Sequence, residues 1–282
     1  MQVRKLETNP PLHNVNGATY HNGVLYVATN GGSVRGLYSV NITTGEAIPI
    51  LNNYRGRHLN SPNDLIFDSQ SNIYFTDPPY GAVQQWPGVR EPELPSAIYH
   101  FNTRTKALTA LSNSVLQMPN GLALSNDERT LYVADSNSSY HSPTSVRNVW
   151  AFDVQAKGTI LTNPRLVYQA ESGWPDGVRV SRNGYLFVSA AGGVDVVEPS
   201  TGLLLGKINT PHDIIYNLEP ASGNAEGVWL LTGGKAIYKV SIAEAGQGRL
   251  VHRPFWTKML EYGAAAHVRV NHAISVVSRL VW

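Results

Sequence analysis

The chain has 282 residues, with 22 Lys+Arg against 20 Asp+Glu and a net charge of +2 with His neutral. A charged fraction of 15% is below the ordinary ~25%, but 42% hydrophobic residues suffice for a core and exclude a disordered chain. The near-zero charge, no apolar run near the ~20 residues of a membrane span, and no cysteine argue against nucleic-acid and membrane partners, disulfides, thiolate metal sites and a Cys nucleophile.

Gly (25), Pro (17) and Asn interrupt short runs rich in Val, Ile, Leu and Tyr, which is the pattern of many short strands joined by tight turns. Five segments repeat one theme: a polar residue, then Asn, Asp or Gly, an apolar run, a turn and a second apolar run. In chain order they are N-V-N-G-A-T-Y-H-N-G-V-L-Y-V-A-T-N (14–30), S-P-N-D-L-I-F-D-S-Q-S-N-I-Y-F-T-D (61–77), M-P-N-G-L-A-L-S-N-D-E-R-T-L-Y-V-A-D (118–135), W-P-D-G-V-R-V-S-R-N-G-Y-L-F-V-S-A (174–190), and T-P-H-D-I-I-Y-N-L with G-V-W-L-L-T (210–218 and 227–232). From Gly17 the equivalent position falls at Asp64, Gly121, Gly177 and Asp213, at spacings of 47, 57, 56 and 36. Third strands are expected at 36–40, 97–101, 148–154, 194–197 and 236–240, and fourth strands at 47–51, 107–111, 165–168 and 203–208. Four antiparallel strands per repeat make a β-propeller blade, and a β-sandwich with accidental similarity among turns is the competing reading. At about 45 residues per blade, the length would hold about six.

Three successive repeats place Asn63, Asn120 and Asp176 at one position, each preceded by Pro. Propeller geometry gathers such positions around the axis. Two amide carbonyls and a carboxylate are hard oxygen ligands, suited to Ca²⁺, Mg²⁺ or Mn²⁺. Any one of them alone also reads as an ordinary turn residue.

The blocks S-P-N-D-L-I-F-D-S-Q-S-N-I-Y-F-T-D-P-P-Y-G (61–81), M-P-N-G-L-A-L-S (118–125) and P-D-G-V-R-V-S-R-N-G-Y-L-F-V (175–188) resemble the gluconolactonase, or senescence marker protein/regucalcin-like, family. The resemblance covers about residues 14–242. It implies an all-β fold of the six-bladed propeller type and hydrolysis of sugar-acid lactones. It also implies one divalent cation near the channel mouth, Ca²⁺ first and Mg²⁺, Mn²⁺ or Zn²⁺ as alternatives, held by Asn63, Asn120 and Asp176. The family's fourth ligand, a Glu opening the first blade, has no counterpart here. Asn16 lies only 47 residues before Asn63, so the repeat at 14–30 looks like the second blade and the first, with its Glu, is expected to be absent. Glu226 mimics the lost motif but belongs in a turn before a second strand.

Asp176 is the one carboxylate of the three and is assigned as both ligand and general base. Asn16, Tyr80, Asp135 and His212 are candidate substrate contacts; for Asp135 a capping role weighs equally. The Pro-rich insert 84–95, with Trp86 and Arg90, reads either as a pocket roof or as a plain surface loop. The nine His residues show no metal-ligand spacing, and no G-x-S-x-G elbow occurs. Alternatives to a lactone hydrolase are a non-hydrolytic propeller, such as one performing a cyclisation or isomerisation in secondary metabolism, and an inactive binding propeller. A small-molecule partner and a monomer are expected.

Residues 1–242 are expected to form the propeller and 243–282 an atypical tail, with five Lys/Arg against two Glu. In the tail, 267–270 and 273–282 read as a hairpin through Asn271-His272, which either covers an open blade or is aberrant. Residues 1–13 contain no apolar leader, yet Asn41-Ile42-Thr43 and Asn137-Ser138-Ser139 are glycosylation sequons. The expected location is therefore secreted if an upstream segment exists, and cytoplasmic otherwise.

Overall fold

The apolar runs between Gly and Asn turns fold as antiparallel strands paired mostly with their sequence neighbours. The computed structural model describes residues 5–32, 35–86, 88–89, 91–111, 115–137, 146–221 and 227–247. The first sheet has the order β1 (Val15–His21), β2 (Val24–Thr29), β3 (Gly36–Val40) and β4 (Ala47–Leu51). A short hairpin, β5 (Asn53–Tyr54) and β6 (Arg57–His58), leads into the second sheet of β7 (Leu65–Phe67), β8 (Ile73–Asp77), β9 (Ala97–Phe101) and β10 (Leu108–Leu111). A single helical turn, α1 (Tyr80–Val83), follows β8. The third sheet holds β11 (Pro119–Leu124), β12 (Thr130–Asp135), β13 (Asn148–Gln155) and β14 (Ile160–Gln169). The fourth is five-stranded: β15 (Val178–Val180), β16 (Leu186–Glu198), β17 (Leu203–Pro220), β18 (Val228–Gly233) and β19 (Ile237–Ser241).

The fold is thus nearly all-β and propeller-like, but the five expected four-stranded repeats become four sheets among the described residues. The fifth repeat does not separate from the fourth, because β17 carries both. Its first half pairs with β16 (Leu203 with Glu198, Asn209 with Gly193), and its second half pairs with β18 (Ile215 with Gly233, Pro220 with Trp229). The sequence N-T-P-H-D between the halves forms no turn, and His212 lies between them at a left-handed φ of 70°.

Strand alternation builds the core between sheets. On β8, Phe75 packs with Ala28, Leu37 and Tyr99 toward the first sheet, while Tyr74 packs with Leu122, Leu131 and Phe152 toward the third. On β12, Val133 joins that second cluster, and Tyr132 joins Val178 and Val188 of the fourth sheet. Phe187 stacks on Trp229 with centroids 4.5 Å apart.

The inner strands are stitched around the axis. Gly17 N donates to Asn63 O (2.7 Å), Gly121 N to Asp176 O (3.1 Å) and Gly177 N to Tyr216 O (2.8 Å). A Cβ at Gly121 would lie 2.2 Å from Asp176 O, and one at Gly177 2.3 Å from Asn217 Oδ1. The glycine of the repeated Asn-Gly and Asp-Gly pairs is therefore required by close approach to the next inner strand. This stitching corrects the expected register of the fifth repeat. The residue facing Gly177 is Asn217, so Asn217 and not Asp213 occupies the position of Asp64, Gly121 and Gly177, and Tyr216 and not His212 occupies that of Asn63, Asn120 and Asp176.

Residues 243–247 run beside the β15–β16 turn, with Arg182 N bonded to Ala245 O (2.8 Å) and Trp229 Nε1 to Glu244 O (2.9 Å). The rest of the expected tail, including its hairpin, lies outside the described residues. Among the described residues no helix is long and apolar enough to cross a membrane.

Candidate functional site

Asn63, Asn120 and Asp176 stand at the starts of three neighbouring inner strands. Asn63 N donates to Thr76 O and Asp176 N to Ser189 O, each at 2.9 Å, so the two residues share one register. Thr76 Oγ1 donates to Asn120 O (2.8 Å), which ties the second sheet to the third at the same level. Asn63 and Asn120 are buried and Asp176 is half-buried. Asn16, the corresponding residue of β1, is exposed.

The Asn120 amide is held from one side. Its Nδ2 donates to Ser136 Oγ (3.1 Å), and the Ser136 hydroxyl donates to Pro175 O, the carbonyl just before Asp176. Asn120 Oδ1 is buried with no hydrogen-bond partner. Buried acceptors are rarely left unmade, so such an atom points to a ligand.

Burial pushes the Asp176 carboxyl up to about 8, and the negative charge of Asp64 adds to the rise, while hydrogen bonds from the Asn120 and Trp174 side chains oppose it. Asp64 accepts from the N–H groups of Leu65 (3.0 Å) and Leu122 (3.4 Å). Its carboxyl is raised by burial, against the pull of Arg179. The Arg179 guanidinium spans three inner strands, from Asp64 Oδ2 on the second sheet (3.4 Å) through its own Val178 O (2.8 Å) to Glu219 Oε2 (2.8 Å) on β17. Sequence reasoning missed this strap. Its signal was a charged residue inside an inner strand, V-R-V, which also fits an ordinary outward-facing position.

Two of the other expected contacts, Asp135 and Tyr80, are engaged with the main chain. Asp135 is fully buried, and its two oxygens accept the N–H groups of Gln117 and Met118, each at 2.9 Å, while burial raises its carboxyl. Asp77 does the same for Asn60 (2.9 Å) and Ser61 (2.7 Å). Both carboxylates brace the segment leading to an Asn, consistent with the capping alternative for Asp135. Tyr80 Oη donates to Met118 O (3.2 Å) from within the buried start of α1. His212 is exposed, and its carbonyl accepts from Lys235 Nζ (2.5 Å). Its neighbour Asp213 is buried under the β18–β19 turn, bonded to Lys235 N and Tyr238 Oη. A cleft of about 470 Å³ lies beside Tyr216, His212 and Lys235. Trp86 and Val89 approach Gly31 on the first sheet, which places this part of the insert over the loop after β2. Arg90, Glu226, His141 and the Ser138-Ser139 half of the second sequon lie outside the described residues.

Among the described residues no three His, Asp or Glu side chains converge. The donors at the axis are amide oxygens and one carboxylate. Together with the unpartnered Asn120 Oδ1, this chemistry fits a hard divalent cation and does not suit a soft one.

Fold and site together define a β-propeller in which Asn63, Asn120 and Asp176 hold equivalent inner-strand positions. The sequence matches the family described as SMP-30/Gluconolactonase/LRE-like region over residues 3–219, and the chain belongs to that family. It is 33% identical over 248 residues to the lactonohydrolase oryL of Aspergillus oryzae, covering 80% of this chain and 56% of that protein. To the gluconolactonase of Zymomonas mobilis it is 36% identical over 201 residues, covering 67% of this chain and 53% of the relative. The solved gluconolactonase of Xanthomonas campestris superposes with a TM-score of 0.66 at 33% identity, over 78% of this chain and 69% of that one. The chain spans about half the length of the curated relatives it matches.

Proposed function

We propose that the chain hydrolyses the lactone of a sugar acid, or a similar small cyclic ester, with the help of one divalent cation, Ca²⁺ first. The names of the relatives support the reaction class. One observation carries the site: the buried, unpartnered Asn120 Oδ1 beside Asp176. Asn63, Asn120 and Asp176 are the residues that would hold the cation. When bound, a divalent cation supplies Lewis-acid polarisation of the lactone carbonyl oxygen. Asp176, ionised, accepts a proton from the attacking water at a carboxylate oxygen. Asp77, Asp135 and Tyr80 hold the approach segments of Asn63 and Asn120 by main-chain hydrogen bonds.

The test is pH-stat turnover of a lactone panel with and without a chelator. Turnover should disappear with chelator and return with Ca²⁺, and Asp176→Asn should lose about 10²–10⁴-fold in rate. Chelator-insensitive turnover would sink the cation's role, and no turnover from a chain shown to bind Ca²⁺ would sink the hydrolase reading. The second outcome would favour a non-hydrolytic propeller, for which Tyr216 at the fifth inner-strand position and its adjoining cleft would be the shaping features.

A further inference from the structure

We infer that Ser136 is a positioning residue that sets which way the Asn120 amide faces, and so presents the Asn120 oxygen to the cation; this rests on the cation site proposed above. The argument follows the direction of the protons. A serine hydroxyl carries one hydrogen, and a carbonyl can only accept. The bond from Ser136 to Pro175 O therefore commits the Ser136 hydrogen. Toward Asn120 the hydroxyl can then only accept, and the sole donor on that side chain is Nδ2, 3.1 Å away. A flipped amide would set two acceptors face to face. Oδ1 is thereby turned away from Ser136, into the buried position where it has no partner.

The same hydroxyl also joins two of the proposed ligands. The Pro175–Asp176 peptide is fixed at its carbonyl by Ser136 and at its N–H by Ser189 O (2.9 Å). Ser136 thus links the Asn120 side chain on the third sheet to the main chain that carries Asp176 into the fourth. The corresponding residue after β8 is Pro78, which has no hydroxyl, and the one in the fourth sheet is Ala191. The device belongs to Asn120 alone among the three proposed ligands.

The experiment is calorimetric titration of Ca²⁺ into the cation-free wild-type chain, Ser136→Ala and Ser136→Thr, with thermal unfolding of each in cation-free buffer. Ser136→Ala should weaken Ca²⁺ binding by about 10–100-fold, the usual effect of losing a group that orients a ligand. Ser136→Thr, which keeps the hydroxyl, should bind Ca²⁺ like wild type. A folded Ser136→Ala with wild-type Ca²⁺ affinity overturns the inference even if its Tm falls, because a merely structural role would move only the Tm. If Ser136→Ala does not fold, the nearly isosteric Ser136→Cys is measured in its place, with the same expectation and the same overturning result. A wild-type chain that binds no Ca²⁺ overturns the cation reading itself. Normal wild-type binding with an indifferent Ser136 variant removes only the positioning role.

Discussion

Strands β1 and β11 begin with the same Asn-Gly pair and approach the next sheet in the same way, yet they live in different surroundings. Gly17 meets Asn63 O and Gly121 meets Asp176 O, each through a main-chain hydrogen bond. On the opposite face the likeness ends. Leu122 and Leu124 of β11 pack with Tyr74 and Ile98, and the whole strand is buried. In β1 the matching residues are Ala18 and Tyr20, both exposed, with Tyr20 at 50% and Val15 at 46%. One strand is sandwiched and the other is covered on one side only. The consequence appears at the mouth: Asn16 faces water, whereas Asn120 is dry and keeps an oxygen that nothing satisfies. Residue type does not distinguish these two asparagines; burial does, because a donor out of water interacts more strongly with a charge.

The largest expected effect tests what holds the sandwiched side together. Arg179→Met would leave Asp64, 2% exposed, without its charge partner. A loss of about 3–5 kcal/mol is expected in urea unfolding at pH 7. A loss below about 1 kcal/mol would mean that charge does not hold the inner strands there. Next, Leu122→Ala should cost about 2–5 kcal/mol, since Leu122 is fully buried in the cluster between the second and third sheets. Tyr20→Ala, on the open face of β1, should stay within about 0.5 kcal/mol. Equal effects would erase the difference between the strands.

The smallest effect concerns the sheet that lies between them. Burial pushes the Asp77 carboxyl up to about 7 from 3.8, against the pull of two N–H groups and Arg35. Between about pH 4 and pH 7 the folded chain therefore holds a proton that the unfolded chain releases, and this site's contribution to stability falls as pH rises through that window. The Tm advantage of wild type over Asp77→Asn should accordingly shrink from pH 4.5 to pH 7.5. A constant difference would show that Asp77 titrates alike in both states.

Much of the fold was legible because local signals bound the strands. Expected strands 36–40, 47–51 and 97–101 coincide with β3, β4 and β9, where turn residues and apolar runs mark both ends. The register of the fifth repeat was misread because P-H-D imitates P-N-D. The actual register is set by Gly177 approaching Asn217, a contact between distant parts of the chain. That Asn63, Asn120 and Asp176 hold equivalent positions could be read from spacing alone, since equivalent strands impose equivalent positions. Arg179 and Ser136 could not. An Arg in an alternating strand and a Ser after a strand each have a commonplace local explanation, and only the facing groups on other sheets give them a role.

The length of β17 has a mechanical consequence. A single 18-residue strand serves as the partner of β16 along one half and of β18 along the other, with a left-handed φ at His212. The last two repeats therefore share a spine and should open as one cooperative unit. Amides at 203–208 and 214–220 should exchange with solvent hydrogen at a common rate-limiting opening, while the first sheet exchanges independently. Tyr216 rides on that spine, so any displacement of the fifth repeat moves one wall of the channel mouth with it.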